Sequence, residues 1–323
     1  MTMHPGLPVS RRRAIRVLAA AGIALGSRPS LAGIRRTVWQ GTALGASARL
    51  TLCGGDTQTA QRVLALCVDE IERLENQFSL YRQDSALSRL NRSGSLRLPS
   101  ADMLALLKFS HWLGTVSNGA FDISVQPLWQ CYARHFSQPR PDPKGPDAAA
   151  LAAACRQVDH RRIAIRDDRI DLPTGMALTL NGIAQGYVTD RIADLLLSEG
   201  WTDVLVDMGE IRGLGEAETG RPWQVATPAG RIDLSQRAVA TSAGSGSPFE
   251  PTGAQHHLLD PRSGRPSNHY AAMTVVASRA TLADALSTML SIVSPEEACA
   301  LLPKLPPADV FALQHSGDVL TLS

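Results

Sequence analysis

No CxxC pair occurs in the 323 residues, and the five cysteines (Cys53, Cys67, Cys131, Cys155 and Cys299) form an odd, scattered set. This pattern indicates neither a zinc knot nor a disulfide scaffold, so buried thiols are the expected fate of most of them. Long apolar runs are missing too: residues 17–25 are apolar but too few to span a bilayer as a mature helix. There is no internal repeat. The composition is not that of a disordered or fibrous chain either, because 44% of residues are hydrophobic and 19% charged. Such a chain can bury a full core as one large domain or two joined halves. Positive charge is scarce once the N-terminus is set aside. Residues 1–32 hold Arg11, Arg12, Arg13, Arg16 and Arg28 and no acid, so 32 basic against 30 acidic residues becomes 27 against 30. The basic character belongs to the leader, and no nucleic-acid partner is called for.

That leader is the first positive signal. Ser10-Arg11-Arg12 is followed by Ala14, Ile15 and Arg16, then by the short apolar run and small residues around Ala32. Basic, then apolar, then small is the layout of a bacterial export signal, and the paired arginines resemble the twin-arginine motif. Residues 1–32 therefore read as a twin-arginine export signal and residues 33–323 as one domain bound for the periplasm, with a retained N-terminal anchor as the alternative. A twin-arginine substrate folds before it meets an oxidising compartment.

Hydrophobic periodicity sets the expected elements. Residues 39–54 end in a strand-like run, and residues 57–75 form an amphipathic helix with Val63, Cys67, Ile71 and Leu74 on its inner stripe. Residues 75–94 read as the end of that helix and then an irregular polar-aromatic loop. Ser100 caps a second helix that closes at Gly114, where His111 is a packed or surface histidine. Residues 118–128 (NGAFDISVQPL) read as a turn into a short buried strand. Residues 136–147 form a proline-rich surface insertion, and a small alanine-rich helix follows as far as Cys155. Residues 162–172 read as a hairpin turned at Asp167-Asp168. Gly182 and Gly186 then open a helix with Ile192, Leu195 and Leu196 inward, and a strand follows at 204–210. That order suggests a βαβ-like unit with a helix N-terminus suited to phosphate, although the glycines are too sparse for a dinucleotide fingerprint. Further strands are expected at 223–226, 231–234 and 238–242.

Residues 256–288 are the stretch around which the rest is organised. A β-rich segment at 272–278 precedes a helix on which Asp284 and Thr288, at i and i+4, share one face with Ser287 beside them. Hard oxygen ligands of this kind suit Mg²⁺, which takes one or two carboxylates and leaves other positions to phosphates and water. The same residues can also be read as helix furniture: Thr281 an N-cap, Asp284 a favourable first-turn charge, Thr288 a back-bonded hydroxyl. The helix alone leaves both readings open.

Seven collinear blocks add a resemblance. FSLYRQDSALSRLN, NGAFDISVQPL, LNGIAQGYVTDRIADLL, VDMGE, AVATSAG, HHLLDPRSG and ADALST are similar, in order and spacing, to the motif series of the FAD:protein FMN transferases, the ApbE family. The resemblance runs from about Trp39 to the C-terminus and is nearest to the NosX-like periplasmic branch. It implies an α+β, ApbE/T-fold-like architecture with a mixed, mainly antiparallel sheet and packed helices. It also implies Mg²⁺, FAD as substrate, and transfer of FMN to a Thr or Ser hydroxyl of an acceptor flavoprotein with release of AMP. For the NosX-like branch that acceptor is the membrane protein NosR of nitrous-oxide respiration. Carried onto this chain, the metal ligands fall on Asp284, Thr288 and the Ala184 carbonyl, with Ser287 as an extra. FAD contacts fall on Phe78, Tyr81, Ala120, Phe121, Asp122, Asn181, Gln185, Tyr187, Glu210, His257 and Leu258. His257 is the candidate general base, since its ordinary pKa lies near neutrality. His256 reads as positional and Asp260 as a turn-former before Pro261. The chain departs from the family pattern at Gln40-Gly41-Thr42, at NGIAQG, where Gln185 replaces a lysine, and at ATSAG. Rival readings are FAD hydrolysis to FMN and AMP, and a non-catalytic FAD-binding assembly factor.

Overall fold

The structure is a computed structural model and describes residues 35–323; the export signal expected at residues 1–32 lies outside the described residues. The chain opens with a hairpin, β1 (Arg36–Ala43) and β2 (Ala46–Cys53), in full antiparallel register. Leu44 and Gly45, both at positive φ, form its two-residue turn, and the Leu44 N–H donates to Glu75 Oε1 at 2.7 Å. Helix α1 (Thr57–Phe78) starts where Asp56 accepts from the Thr59 N–H, and it buries Val63, Cys67, Ile71 and Leu74 as its periodicity predicts. Then come α2 (Ala86–Ser93), β3 (Ser95–Arg97) and α3 (Ala101–Val116). After a 3-10 turn at Ile123–Val125 follow α4 (Gln126–Phe136), α5 (Ala148–Cys155), β4 (Ala164–Ile165) and β5 (Arg169–Asp171).

The second half runs α6 (Ala184–Ser198), β6 (Val204–Asp207), β7 (Ile211–Leu214), β8 (Trp223–Thr227), β9 (Gly230–Leu234) and β10 (Arg237–Ser242). It closes with β11 (Ala272–Ala277), α7 (Ala280–Ile292), α8 (Pro295–Leu301), β12 (Ala308–Leu313) and β13 (Val319–Leu322). The main sheet has the spatial order β1-β2-β6-β7-β10-β11-β12-β13, and every neighbouring pair in it is antiparallel. Helices α1, α6 and α7 cover one face. Met273, Val275 and Ala277 of β11 point into that layer, while Val276 points to the other face, where the β8–β9 hairpin brings Trp223, Val225 and Leu234. With both faces covered, β11 is buried along its whole length, which is why its sequence is apolar at every position but Thr274, whose hydroxyl pairs with that of Thr241, rather than alternating. Leu286, Met289 and Leu290 fix α7 to this layer, each contributing about 1.5–3 kcal/mol by leaving water. The architecture is the mainly antiparallel α+β arrangement that the resemblance implies.

Four local expectations need correction. Residues 86–93 form α2 rather than a loop: the Ser85 hydroxyl accepts from the Ser88 N–H, and Gly94 ends the helix in the left-handed region. Residues 126–136 form α4 rather than continuing a buried strand, with Pro127 placed in the first turn where its missing N–H costs nothing. Helix α3 passes through Gly114 to Val116, because that glycine serves a close approach: a Cβ there would lie 2.7 Å from the His160 ring. Finally, no βαβ unit forms. β5 belongs to a separate three-stranded sheet, and the residues before α6 are irregular, with Asn91 bridging both the N–H (2.7 Å) and the C=O (2.8 Å) of Leu178 where a strand neighbour would have done so.

Candidate functional site

Two helices distant in sequence are clasped at their N-termini. Ile183 gives α6 no side-chain cap; instead the Gly186 N–H donates to Asp284 Oδ2 of α7 at 2.9 Å. In return α7, which has no cap of its own, is capped from α6: Asp190 accepts from the Ala280 N–H at 3.0 Å, the Thr281 N–H at 2.9 Å and the Thr281 hydroxyl at 2.6 Å. Thr281 therefore does not cap the helix. The approach is so close that it requires glycine. A Cβ on Gly186 would collide with the Ala280 carbonyl and stand 2.8 Å from Asp284 Cβ, and one on Gly182 would stand 2.8 Å from Thr288 Cγ2.

This clasp forms the floor of a cavity of about 330 Å³. Asp284 and Thr288 come from α7, Asn181 and Gly182 from the turn before α6, Gln185 from its first turn, and Glu210 from the turn after β6. The walls are Ala120, Phe121 and Asp122, the α4 residues Gln126 and Trp129, and His257 and Leu258. Among the residues lining it there is no lysine or arginine. Burial pushes the Asp284 carboxyl up to about 7, opposed by the Gly186 N–H. Glu210 rises well above the usual carboxylate range, first through burial and then through the facing charge of Asp284. Thr288 Oγ1 lies 3.3 Å from Ser242 Oγ and so reaches across the site rather than back to its own helix.

The neighbouring histidines differ. His256 is buried with both ring nitrogens engaged, Nδ1 by the Leu258 N–H at 3.2 Å and Nε2 by Asn268 Oδ1 at 3.1 Å. His257 lines the cavity, and its Nδ1 is buried without a hydrogen-bond partner. Burial, reinforced by His256, holds the His257 pKa below its ordinary value, so the ring is neutral at pH 7 and able to take a proton.

With this geometry in view, the comparisons with known proteins are informative. The model of the ApbE family matches residues 44–312. The chain belongs to the ApbE family. A protein of Vibrio cholerae named FAD:protein FMN transferase is 30% identical over 261 residues, covering 76% of this chain and 77% of that one. One from Klebsiella pneumoniae with the same name is 29% identical over 282 residues, covering 81% and 80%. Among solved structures, the apo form of the Pseudomonas stutzeri flavinyl transferase ApbE superposes with a TM-score of 0.79 at 26% identity, covering 91% of this chain and 98% of that one. The ApbE protein of Thermotoga maritima, at 23% identity, shares the fold with a TM-score of 0.78, covering 90% and 97%.

Not every residue assigned through the ApbE resemblance lines this cavity. Phe78 is buried at the end of α1 with its ring edge-on to Tyr187 at 5.6 Å, and the Tyr187 hydroxyl donates to Asp102 Oδ1 at 2.7 Å. Tyr81 is 79% exposed and stands beside the β1–β2 turn. Ala184 is buried one residue away from the lining, and the Ser287 hydroxyl is occupied by Ser242 Oγ at 2.9 Å and the Asp284 carbonyl at 3.0 Å. Asp122 lines the wall, but its carboxylate is already shared between Ser124 (2.7 Å to N, 2.6 Å to Oγ) and the His160 N–H (2.8 Å). It therefore shapes the Ala120–Asp122 turn. Asp260 accepts from the Arg262 N–H at 2.9 Å, as a turn-former does.

The donor set fits a hard divalent cation. Two carboxylates raised by burial face one another with no basic side chain on the lining, so a cation there would restore both to their charged form. Among the described residues no group of three or more His, Cys, Asp or Glu side chains could hold a metal. Magnesium does not require one, since water and substrate phosphates fill most of its octahedron. Neither Glu210's facing position nor the Asp190 cap can be read from local sequence, and Trp129 reaches the wall only because residues 126–136 are helical.

Proposed function

We propose that this chain is a Mg²⁺-dependent FAD:protein FMN transferase, which moves FMN from FAD onto a Thr or Ser hydroxyl of an acceptor flavoprotein and releases AMP. The observation that supports this best is one cavity in which Asp284, Glu210, the Thr288 hydroxyl, the start of α6 and a neutral His257 meet without a lysine or arginine. A pyrophosphate is anionic, and an acid-lined cavity accepts it only with a cation. Asp284 and Thr288 would hold that ion, with the Ala184 carbonyl as the further ligand that the family resemblance implies. When bound, it supplies charge neutralisation at the transferring phosphoryl group.

The remaining chemistry belongs to the protein. The acceptor hydroxyl oxygen bonds to the flavin-side phosphorus while the bond from that phosphorus to the AMP oxygen breaks. The hydroxyl proton passes to the His257 imidazole, which its low pKa keeps free at pH 7. Within the Gly182–Gly186 stretch the Leu180 carbonyl takes the Ile183 and Ala184 N–H groups and Asp284 takes that of Gly186, which leaves the N–H groups of Gly182 and Gln185 as the donors for phosphate oxygens. Asn181, just before the stretch, and Gln185, within it, add neutral hydrogen-bonding side chains to the lining.

Export by the twin-arginine route and action in the periplasm complete the reading, with NosR as the acceptor suggested by similarity to the NosX-like branch. Incubation of residues 33–323 with FAD, Mg²⁺ and the acceptor domain should add one FMN to the acceptor, seen by mass spectrometry, with stoichiometric AMP. Free FMN with an unmodified acceptor would make the chain an FAD hydrolase, and tight FAD binding without turnover would make it an assembly factor. Replacing Arg11 and Arg12 together by Lys should strand the protein in the cytoplasm.

A further inference from the structure

Leaving a tryptophan uncovered is unfavourable, because its large apolar surface stays in water. Trp129, on the first turns of α4, is nevertheless 37% exposed, and it lines the cavity. It ends a series of rings in which Tyr132 is buried and Phe136 and Phe249 are half-buried. Phe249 stacks on Tyr132 (centroids 5.5 Å, planes 22° apart) and on Phe136 (6.2 Å, 8°), and the Tyr132 hydroxyl anchors the series by donating to the Gly264 carbonyl at 3.1 Å. Trp129 leans on Phe249 at 5.9 Å and 58°, so it is braced on one side only. Its neighbours on the cavity wall include Val125, Leu259 and Pro261, all apolar, whereas the acids and hydroxyls are gathered on the α6–α7 floor.

A braced indole at the edge of an apolar wall, in a cavity whose floor suits a metal-bound phosphate, has the form of a platform for a flat ring. We propose that Trp129 stacks against one of the planar rings of the dinucleotide substrate, the isoalloxazine or the adenine, and so sets where along the cavity the pyrophosphate lies. The proposal rests on the FAD reading above. It assigns to Trp129 the chemistry shared by both rings, a π-face contact with apolar flanks.

The test is direct binding, measured with Mg²⁺ and without acceptor, for FAD, FMN and AMP in turn on the wild type, Trp129→Leu and Trp129→Phe. Circular dichroism and melting temperature serve as controls for folding; an exposed position should leave both unchanged. Trp129→Leu should weaken FAD binding about 5- to 100-fold, the range that base-on-aromatic stacking usually supplies, and Trp129→Phe should recover most of it. Loss confined to FMN, together with reduced quenching of flavin fluorescence in bound FAD, identifies the isoalloxazine; loss confined to AMP identifies the adenine. Unchanged FAD affinity in Trp129→Leu overturns the platform while leaving the transferase reading intact. If FAD affinity is unchanged but the KM for the acceptor rises, Trp129 contacts the acceptor and the platform is equally overturned. A wild-type protein that binds no FAD overturns both.

Discussion

The floor and the wall of the cavity are held by different forces. On the floor, hydrogen bonds join residues far apart in the chain: Asp190 to Ala280 and Thr281, Asp284 to Gly186, Thr288 to Ser242. On the wall, Trp129, Phe249 and Tyr132 are placed by ring packing, and the histidine that faces the space keeps a nitrogen without a partner. Directional bonds hold groups to the narrow tolerance that charge chemistry needs, whereas packing places surfaces more loosely. The floor should therefore fail abruptly on substitution and the wall by degrees.

The sharpest expected break is Asp284→Ala. It removes the one carboxylate on the α7 ligand face and should cut FMN transfer at least a thousandfold, since losing a metal clamp on a phosphoryl group costs several kcal/mol in the transition state. Chelating Mg²⁺ from the wild type should have the same effect, and near-normal turnover in either assay would return Asp284 to a structural role.

Next comes His257→Ala, expected to slow transfer about 10²- to 10⁴-fold. Because burial lowers the His257 pKa, wild-type transfer should rise with pH through a midpoint below 6.5, where the ring loses its proton, and then level off. The alanine variant should show no such rise. A pH profile unchanged by the substitution, with weaker FAD binding, would make His257 a positioning group.

Asp190→Ala tests the clasp through stability. It leaves the buried Arg212, which donates to Asp190 at 2.9 Å, with Asp194 at 3.1 Å as its remaining acceptor, and it uncaps two N–H groups of α7. A loss of about 2–4 kcal/mol is expected by denaturant unfolding. A loss under about 1 kcal/mol would mean that the floor is packed rather than bonded in place, and would erase the contrast with the wall. The smallest effect expected is that of Gln185→Lys. A positive charge returned to the start of α6 should tighten FAD binding severalfold, about 1 kcal/mol, with the gain shrinking as salt is raised in an affinity titration.

Local pattern made much of this legible. The β-rich composition of residues 272–278 located β11, and helical spacing placed Asp284 and Thr288 on one face of α7, where the structure has them lining the cavity. What stayed hidden was set by distance or by competing local signals. Asp190 caps a helix about ninety residues away, a bond no window of sequence contains. Helix α4 was masked by the β-branched Ile123 and Val125 just before it, although Pro127 marked its start. Gly114 resembled a helix end because a glycine serving a close approach and one serving a left-handed turn look the same in sequence.

The order of the main sheet has a consequence for how the chain is made. Its eight strands lie side by side in the order in which they occur along the chain, so each new strand docks on the edge laid down before it and never has to insert between two already paired. The sheet can thus grow from one side as the polypeptide leaves the ribosome, with the stretch from α1 to β5 and the β8–β9 hairpin packing as excursions from a waiting edge. Asp284 and Thr288 arrive on the helix after the sixth strand of that series. A nascent chain therefore holds most of the cavity's walls before it holds Asp284 and Thr288, and the floor closes only when α7 packs against α6.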